Sequence, residues 1–194
     1  KYSKNIYLIS LFLFSFIFNF YVASKGVFPI DTFLHYDSAS RIMNGLIPVR
    51  DYWIVHGLTL DYIQLIFFSI LGVNWASYII HSSLFNSVIS ILTFILLNQC
   101  GLKKIYSFFL SISFATLAYP ISGTPFIDQH AIFLSFLGFY LFYFGINKDF
   151  KYLFFIPLTF ILAFFSKPVP TIYFISLIIC VIAFTFYKTK NFKI

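Results

Sequence analysis

The sequence predicts an all-α polytopic membrane bundle of about six spans, with amphipathic surface helices in the first loop outside the cytoplasm. Three observations predict it. Of the 194 residues, 60% are hydrophobic and only 10% charged, with a mean hydropathy of +0.91, so lipid is the solvent for most of the chain. Apolar runs long enough to cross about 30 Å of hydrocarbon recur along it. The lysines sit in the short segments between those runs, on alternate turns of the chain, as the positive-inside rule requires.

The six runs lie near 6–23, 75–97, 105–119, 130–146, 152–166 and 169–187. A seventh, 58–71, is about 21 Å long as a helix at 1.5 Å per residue and carries Asp61 and Gln64 one turn apart. It reads as interfacial, because counting it as a span would split the lysines across the membrane. With six spans and a cytoplasmic N-terminus, Lys1, Lys4, Lys103, Lys104, Lys148, Lys151, Lys188, Lys190 and Lys193 face inward. Asp31, Asp37, Asp51, Asp61 and Asp128 then all face outward, and Asp149 alone faces in.

The whole chain, 1–194, reads as the N-terminal part of one integral-membrane domain, with a first outer loop at about 25–74. It opens on Lys rather than Met and stops just after a basic segment, which suggests a fragment. The first apolar run has no convincing small-residue cleavage site, so no cleavable signal is expected. The 30 Phe residues read as lipid-facing bulk in a biased composition, not as a motif. A net charge of +7 spread over short loops reads as a topology signal and argues against a nucleic-acid partner; the partners it implies are membrane lipids. Cys100 and Cys180 are far apart and show neither CxxC nor Cys/His spacing, so no disulfide or metal site is expected from them.

Within the outer loop, residues 31–47 have helical spacing. Tyr36, Ala39, Met43 and Leu46 form an apolar arc, with Asp37, Ser40, Arg41 and Asn44 opposite. Asp31 stands where it could cap this helix, and Gly45 followed by Pro48 would end it. The loop is therefore expected to fold as helix, turn, helix, with RDYWIVHG between.

The chain contains no Glu, so a carboxylate acting as general base must be an Asp. Transfer from a lipid-phosphate donor would call on Asp31, Asp37 or Asp51 for the proton, and on Arg41, Arg50 or Lys167 for the departing phosphate. Arg presents several donors in one plane, whereas Lys offers a point charge. The plainer alternatives stand beside these: Asp31 as a cap, Asp37 and Arg41 as an i, i+4 surface pair, Arg50 and Asp51 as a turn pair. His56 reads as a positioning or interfacial residue, and His35, His81 and His130 as satisfied polar groups. Asp128 and Lys167, at span ends, are costly unless solvated or paired.

The segment DTFLHYDSASRIMNGLIPVRDYWIVHGLTLDYIQLIFFSILG resembles the first extracytoplasmic loop of the GT-C glycosyltransferases, especially bacterial relatives of the protein O-mannosyltransferases and lipid A aminoarabinose transferases. Asp31 matches the Asp that opens the surface helix, Gly45 the Gly, Pro48 to Asp51 the P-x-R-D turn, His56-Gly57-Leu58 the following step, and Gly72 the end of the short helix. Asp128 matches an Asp at the outer start of a later span, and Lys167 a Lys after a further one. Thr32 departs from the pattern, standing where many relatives carry Glu.

The resemblance implies a membrane glycosyltransferase that moves a hexose or pentose from a polyprenyl-phosphate donor to a lipid, glycan or protein outside the cytoplasm, in a bacterial plasma membrane. It implies Asp31 or Asp37 as catalytic residue, and Arg41, Arg50, Asp51, His56, Asp128 and Lys167 as substrate-binding residues. No cofactor is required by it; a divalent metal is open, since some members of the superfamily use one and others do not. The competing readings are a flippase for lipid-linked oligosaccharides, a small-solute transporter, and a non-catalytic membrane subunit.

Overall fold

The computed structural model describes residues 2–27, 31–119 and 123–189. Among these the fold is all-α: α1 (Tyr2–Ala23), α2 (Thr32–Met43), α3 (Thr59–Leu71), α4 (Trp75–Gln99), α5 (Lys104–Leu117), α6 (Ile127–Asn147), a 3₁₀ segment η1 (Phe150–Phe155), α7 (Ile156–Ser166) and α8 (Pro168–Thr189). Residues 5–23 of α1, with α4, α6 and α8, are long and apolar enough to cross a membrane. The helices α3 and α5, and the continuous η1 and α7, are apolar but shorter.

Side-chain contacts fix the direction of each helix. Near the end of α1, Asn19 donates to Ser82 and Ser83 of early α4 and to the carbonyl of Gly123. Near its start, Tyr7 packs on Phe94 of late α4 and Phe108 of early α5, with ring centroids 6.0 and 5.2 Å apart. Thus α1 and α5 run antiparallel to α4. Asp128 of early α6 meets Lys167 beyond the end of α7, while Gly145 of late α6 faces Leu153 of η1, so this pair is antiparallel too. Lys167, which leads into α8, meets Asp128 of early α6, and further along both helices Phe136 and Phe174 are 5.0 Å apart, so α8 runs parallel to α6.

The bundle therefore has two chemically different ends. One gathers Asp31, Asp37, Asp51, Asp61 and Asp128, together with α2 and α3; the other gathers Lys103, Lys104, Lys148, Lys151 and Lys188. Lys25, Lys167 and both Arg lie at the carboxylate end, and Asp149 at the lysine end pairs with Lys151 at 2.8 Å. Lys1, Lys190 and Lys193, on which the expected topology also leaned, lie outside the described residues.

Three small apolar clusters hold the elements together. Ala39, Phe68 and Tyr78 join α2, α3 and α4; Ile89, Tyr119 and Phe133 join α4 to α6; Phe142, Phe160 and Ile178 join α6, α7 and α8. Gly138 allows α6 and α7 to touch, since a Cβ there would stand 2.8 Å from Thr159 Oγ1 and 2.9 Å from the Phe160 ring.

The amphipathic reading of α2 needs correction. The helix stops at Met43, short of the helical spacing that runs to 47, and Gly45, expected to end it, stands just beyond at φ 84°. Its buried residues are Thr32, His35, Ser38 and Ala39, while Met43 and Leu46 are exposed. Polar side chains form most of the inward face because their partners come from α3 and the loop.

Candidate functional site

The site grows from α3. Its first turn carries Asp61, fully buried at the carboxylate end, and three donors from two other segments close on it. His35 Nδ1 lies 2.8 Å from Oδ1, His56 Nε2 2.8 Å from Oδ2, and Ser38 Oγ donates to Oδ2 at 2.7 Å. His35 and Ser38 come from one face of α2, three residues apart, and His56 from the loop before α3. Tyr52 extends the network: its hydroxyl lies 2.8 Å from Ser38 Oγ and donates to the Ser38 carbonyl at 3.3 Å. The two imidazoles meet edge to face at 4.5 Å.

Protonation follows from these partners. Burial alone would raise the Asp61 carboxyl, but the hydrogen bonds from His35, His56 and Ser38 and the His35 charge outweigh it and hold the group below its ordinary value. An ionised carboxylate only accepts, so His35 donates through Nδ1 and His56 through Nε2. His35 itself is pushed below its ordinary value of 6.5 by burial, against the opposing pull of Asp61.

His35, His56 and Asp61 also offer three ligand atoms within 4.8 Å of one another, a donor set that suits zinc. The geometry suits hydrogen bonds better. Both nitrogens sit at N–H···O distance from Asp61 oxygens, and His56 Nδ1 is buried without the partner that orients a metal-bound imidazole. As it stands in this structure the triad is a hydrogen-bonded device.

A second polar chain runs beside it. Gln64, one turn along α3, meets His81 Nδ1 at 2.7 Å; His81 Nε2 lies 3.0 Å from His130 Nε2, and His130 Nδ1 lies 3.0 Å from the Phe126 carbonyl. The carbonyl only accepts, so His130 donates through Nδ1 and, when neutral, accepts at Nε2 from His81. His81 then accepts at Nδ1, which requires the Gln64 amide turned to present its NH2, the very nitrogen otherwise without a partner.

Around these chains the residues expected from the sequence divide into two groups. Asp31 occupies the N-cap position of α2, yet its side chain makes no capping bond, so capping does not account for it. The start of α2 is tied to the segment before α6: Tyr78 donates to the Thr32 carbonyl at 2.6 Å and to the Pro125 carbonyl at 3.4 Å, and Thr32 and Thr124 hydroxyls lie 3.4 Å apart. Three residues beyond Pro125, Asp128 pairs with Lys167 at 2.6 Å. Gly57 seats against the carbonyls of Phe165 and Ser166, where any Cβ would overlap them, and this brings His56 to the same end of α7 as Lys167. Asp31, His56, Asp128 and Lys167 thereby share one corner of the carboxylate end.

The other four lie on the outer rim. Asp37 and Arg41 form an exposed i, i+4 pair at 2.7 Å, with the guanidinium 5.4 Å from the centre of the Tyr52 ring. Arg50 holds Asp51 through two bonds of 2.7 and 2.8 Å, and the Ile47 amide adds a third at 2.7 Å. Those bonds, the Arg50 one foremost, bring the Asp51 carboxyl from 3.8 down to about 2 and brace a tight turn in which Val49 takes φ 70°. Arg50 is thus taken up by Asp51 and Lys167 by Asp128, and no contact joins the two cations.

Sequence reasoning passed over His35, Ser38 and Asp61 as site residues. Their spacing holds one usable signal: His35 and Ser38 are i, i+3 on a helix, facing a loop that brings a second His five residues before Asp61. These features define an α-helical protein with four helices long and apolar enough to cross a membrane and a buried His–Asp–His cluster at one end. No family model, curated protein or solved structure matches the chain.

Proposed function

We propose that this chain is part of a membrane glycosyltransferase that moves a sugar from a polyprenyl-phosphate donor to an acceptor outside the cytoplasm. The observation that carries the reading is the shared corner of Asp31, His56, Asp128 and Lys167, four of the residues the resemblance singles out. The carboxylate end is the extracytoplasmic one by the positive-inside rule, and α5 and the η1–α7 segment cross with the four long helices to make six spans of a bacterial plasma membrane.

In this reading Asp31 is the general base. Its carboxylate is not committed to capping, and it removes the acceptor's hydroxyl proton as that oxygen attacks the anomeric carbon. The bond from that carbon to the phosphate oxygen breaks, and the departing polyprenyl phosphate keeps the electron pair. Lys167, held in place by Asp128, meets the negative charge that develops there. Asp37, paired with Arg41 on the rim, is the lesser candidate for the base.

Purified protein in proteoliposomes, given radiolabelled polyprenyl-phosphate sugars and a panel of acceptors, tests this. Asp31→Asn is expected to lower turnover about a hundredfold or more while leaving donor binding intact, and Asp37→Asn to do less. Equal turnover of Asp31→Asn and the unmutated protein at matched folding would remove Asp31 from the chemistry.

The Gln64–His81–His130 chain favours a second reading, a transporter of lipid-linked sugars or small solutes, because polar relays buried between membrane helices are what such proteins use. Flux across the same proteoliposomes that fails in His81→Phe, with no sugar transfer in the unmutated protein, would select it.

A further inference from the structure

At the junction of α1, α4 and α5 the bundle buries three side-chain oxygens that no protein group pairs. The helix contacts fix their register. Asn19 meets Ser82 and Ser83 while Tyr7 meets Phe94, so Ser15, one turn before Asn19, stands opposite Asn86 near the middle of α4. From the other side, the Asn86 amide reaches the Ala115 carbonyl of α5, and Ser111 lies one turn from Ala115 on the same face. Ser15, Asn86 and Ser111 are each fully buried, yet Ser15 Oγ, Asn86 Oδ1 and Ser111 Oγ have no hydrogen-bond partner. Each such oxygen costs stability until a partner reaches it.

The two hydroxyls also depart from the habit of the other buried serines. Ser83, Ser87 and Ser90 of α4 and Ser135 of α6 each donate to the carbonyl four residues back in their own helix, the ordinary way to satisfy a serine between apolar helices. Ser15 and Ser111 do not make that bond. Beside them a pocket of about 270 Å³ lies between the ends of α1 and α5, with Asn19, Ala115, Thr116 and Tyr119 in its wall. Asn19 is one turn from Ser15, and Ala115 carries the carbonyl that Asn86 uses, so the pocket leads from the carboxylate end to the unpaired oxygens.

We propose that this junction is a hydration site: water enters from the carboxylate end through the pocket and is held between the three helices by Ser15, Asn86 and Ser111. Water matches the donor set, because Asn86 Oδ1 only accepts, each hydroxyl can give or take, and a water molecule does both. A cation does not match it. The three oxygens are neutral and α1, α4 and α5 carry no carboxylate, so a desolvated charge would stand uncompensated. An apolar chain would leave all three oxygens unpaired. The site brings water as deep as the middle of α4, apart from the His–Asp–His cluster, and it holds whether or not the chain transfers sugars.

The sign of a deletion tests it. In a dry junction, Ser15→Ala and Ser111→Ala remove an oxygen that had no partner and leave the unfolding equilibrium constant unchanged or lower. With water bound, each breaks a bridge and is expected to raise that constant about fivefold, the worth of one net hydrogen bond, in equilibrium SDS unfolding. Ser15→Ala combined with Asn86→Leu is expected to cost less than the sum of the two, since both act on one water. Access is read separately, in nanodiscs, on the full chain carrying Cys100→Ser and Cys180→Ser, which removes both native thiols. Silver ion follows water and binds a hydrated thiol. It is expected to shield Ser15→Cys from N-ethylmaleimide added after unfolding, and to leave Ser135→Cys, equally buried on α6, unshielded. Unchanged or lower unfolding constants, full additivity, or a thiol at position 15 as inert as that at 135 would overturn the proposal. A stability that rises with sodium at constant ionic strength would overturn it too, by making the occupant a cation.

Discussion

The helices α4 and α8 are of similar length and similar hydropathy, but they bury opposite things. Most of the buried positions of α4 are polar: Ser77, His81, Ser82, Ser83, Asn86, Ser87 and Ser90 stand beside Tyr78, Ile79, Ile89 and Phe94. By contrast α8 is apolar nearly all round and largely exposed, with Thr171 and Ile178 as its buried contacts. In water an inward face gains by being apolar; in lipid there is no such gain, and small or hydrogen-bonding residues let backbones approach and find partners. Asn86 donating to the Ala115 carbonyl at 2.8 Å, and Asn19 bridging Ser82, Ser83 and Gly123, are this rule at work. The same logic continues into the outer loop, where His35, Ser38, Asp61 and Gln64 are all buried.

The largest effect expected from breaking the polar face is at Asp61. Asp61→Ala removes the shared partner of His35, His56 and Ser38 and leaves all three buried and unmatched, at a cost of about 3–5 kcal/mol. Hydrogen exchange should show residues 32–61 losing protection while α8 is unchanged. Next comes Gly57→Ala, whose Cβ overlaps the Phe165 and Ser166 carbonyls; a cost of about 1–3 kcal/mol is expected, measured as a lower midpoint of thermal unfolding. A reciprocal exchange sharpens the comparison: Asn86→Leu should destabilise by about 1–2 kcal/mol in detergent unfolding, and Ile179→Ala on exposed α8 by less than about 0.5.

The smallest effect is a pH response. His35 is held below 6.5, so the unfolded chain binds its proton first as pH falls, and the stability that a neutral buried His35 contributes is present above 6.5 and lost below it. Burial sets the sign; of the groups that face His35, the Asp61 and Asp31 carboxylates oppose the loss and the His56 imidazole adds to it. Protection of the α2 amides, corrected for the intrinsic pH dependence of exchange, is expected to fall as the pH drops below 6.5, and His35→Asn to flatten that slope. A change in the opposite direction would show that His35 gains a proton on folding. Asp51 acts lower still: its folded value near 2 against an ordinary 3.8 means that the turn it braces loosens only between about pH 4 and 2.

Much of this architecture was legible in the residues, and the reason is lipid. Hydropathy located the four long apolar helices, the two shorter apolar segments at 104–117 and 150–166, and the two helices of the outer loop to within a few residues, because apolar length is itself the constraint. The i, i+4 pairing of Asp37 with Arg41 and the local pairing of Arg50 with Asp51 were equally open to inspection. What stayed hidden was long-range. The i, i+3 spacing of His35 and Ser38 marks a polar face without naming Asp61, twenty-six positions on from His35, as its partner, and Gly57 gives no sign that it seats on α7. The apolar arc drawn for α2 held at Tyr36 and Ala39, which pack on Phe68 and Tyr78, and erred at Met43 and Leu46, which are exposed, while a polar neighbour made His35 and Ser38 inward residues as well.

The η1 segment carries a consequence for the membrane itself. Seventeen residues from Phe150 to Ser166 would extend about 26 Å as an α-helix, short of a hydrocarbon slab of about 30 Å. Winding the first six as 3₁₀, at about 2.0 Å per residue, lengthens the segment to about 28–29 Å without adding a residue. By comparison, α5 has 14 residues, reaches about 21 Å and has no such extension. In the proposed six-span arrangement, a bilayer would have to thin more beside α5 than beside α7, and Lys103 and Lys104 at the start of α5 are placed to snorkel to its headgroups.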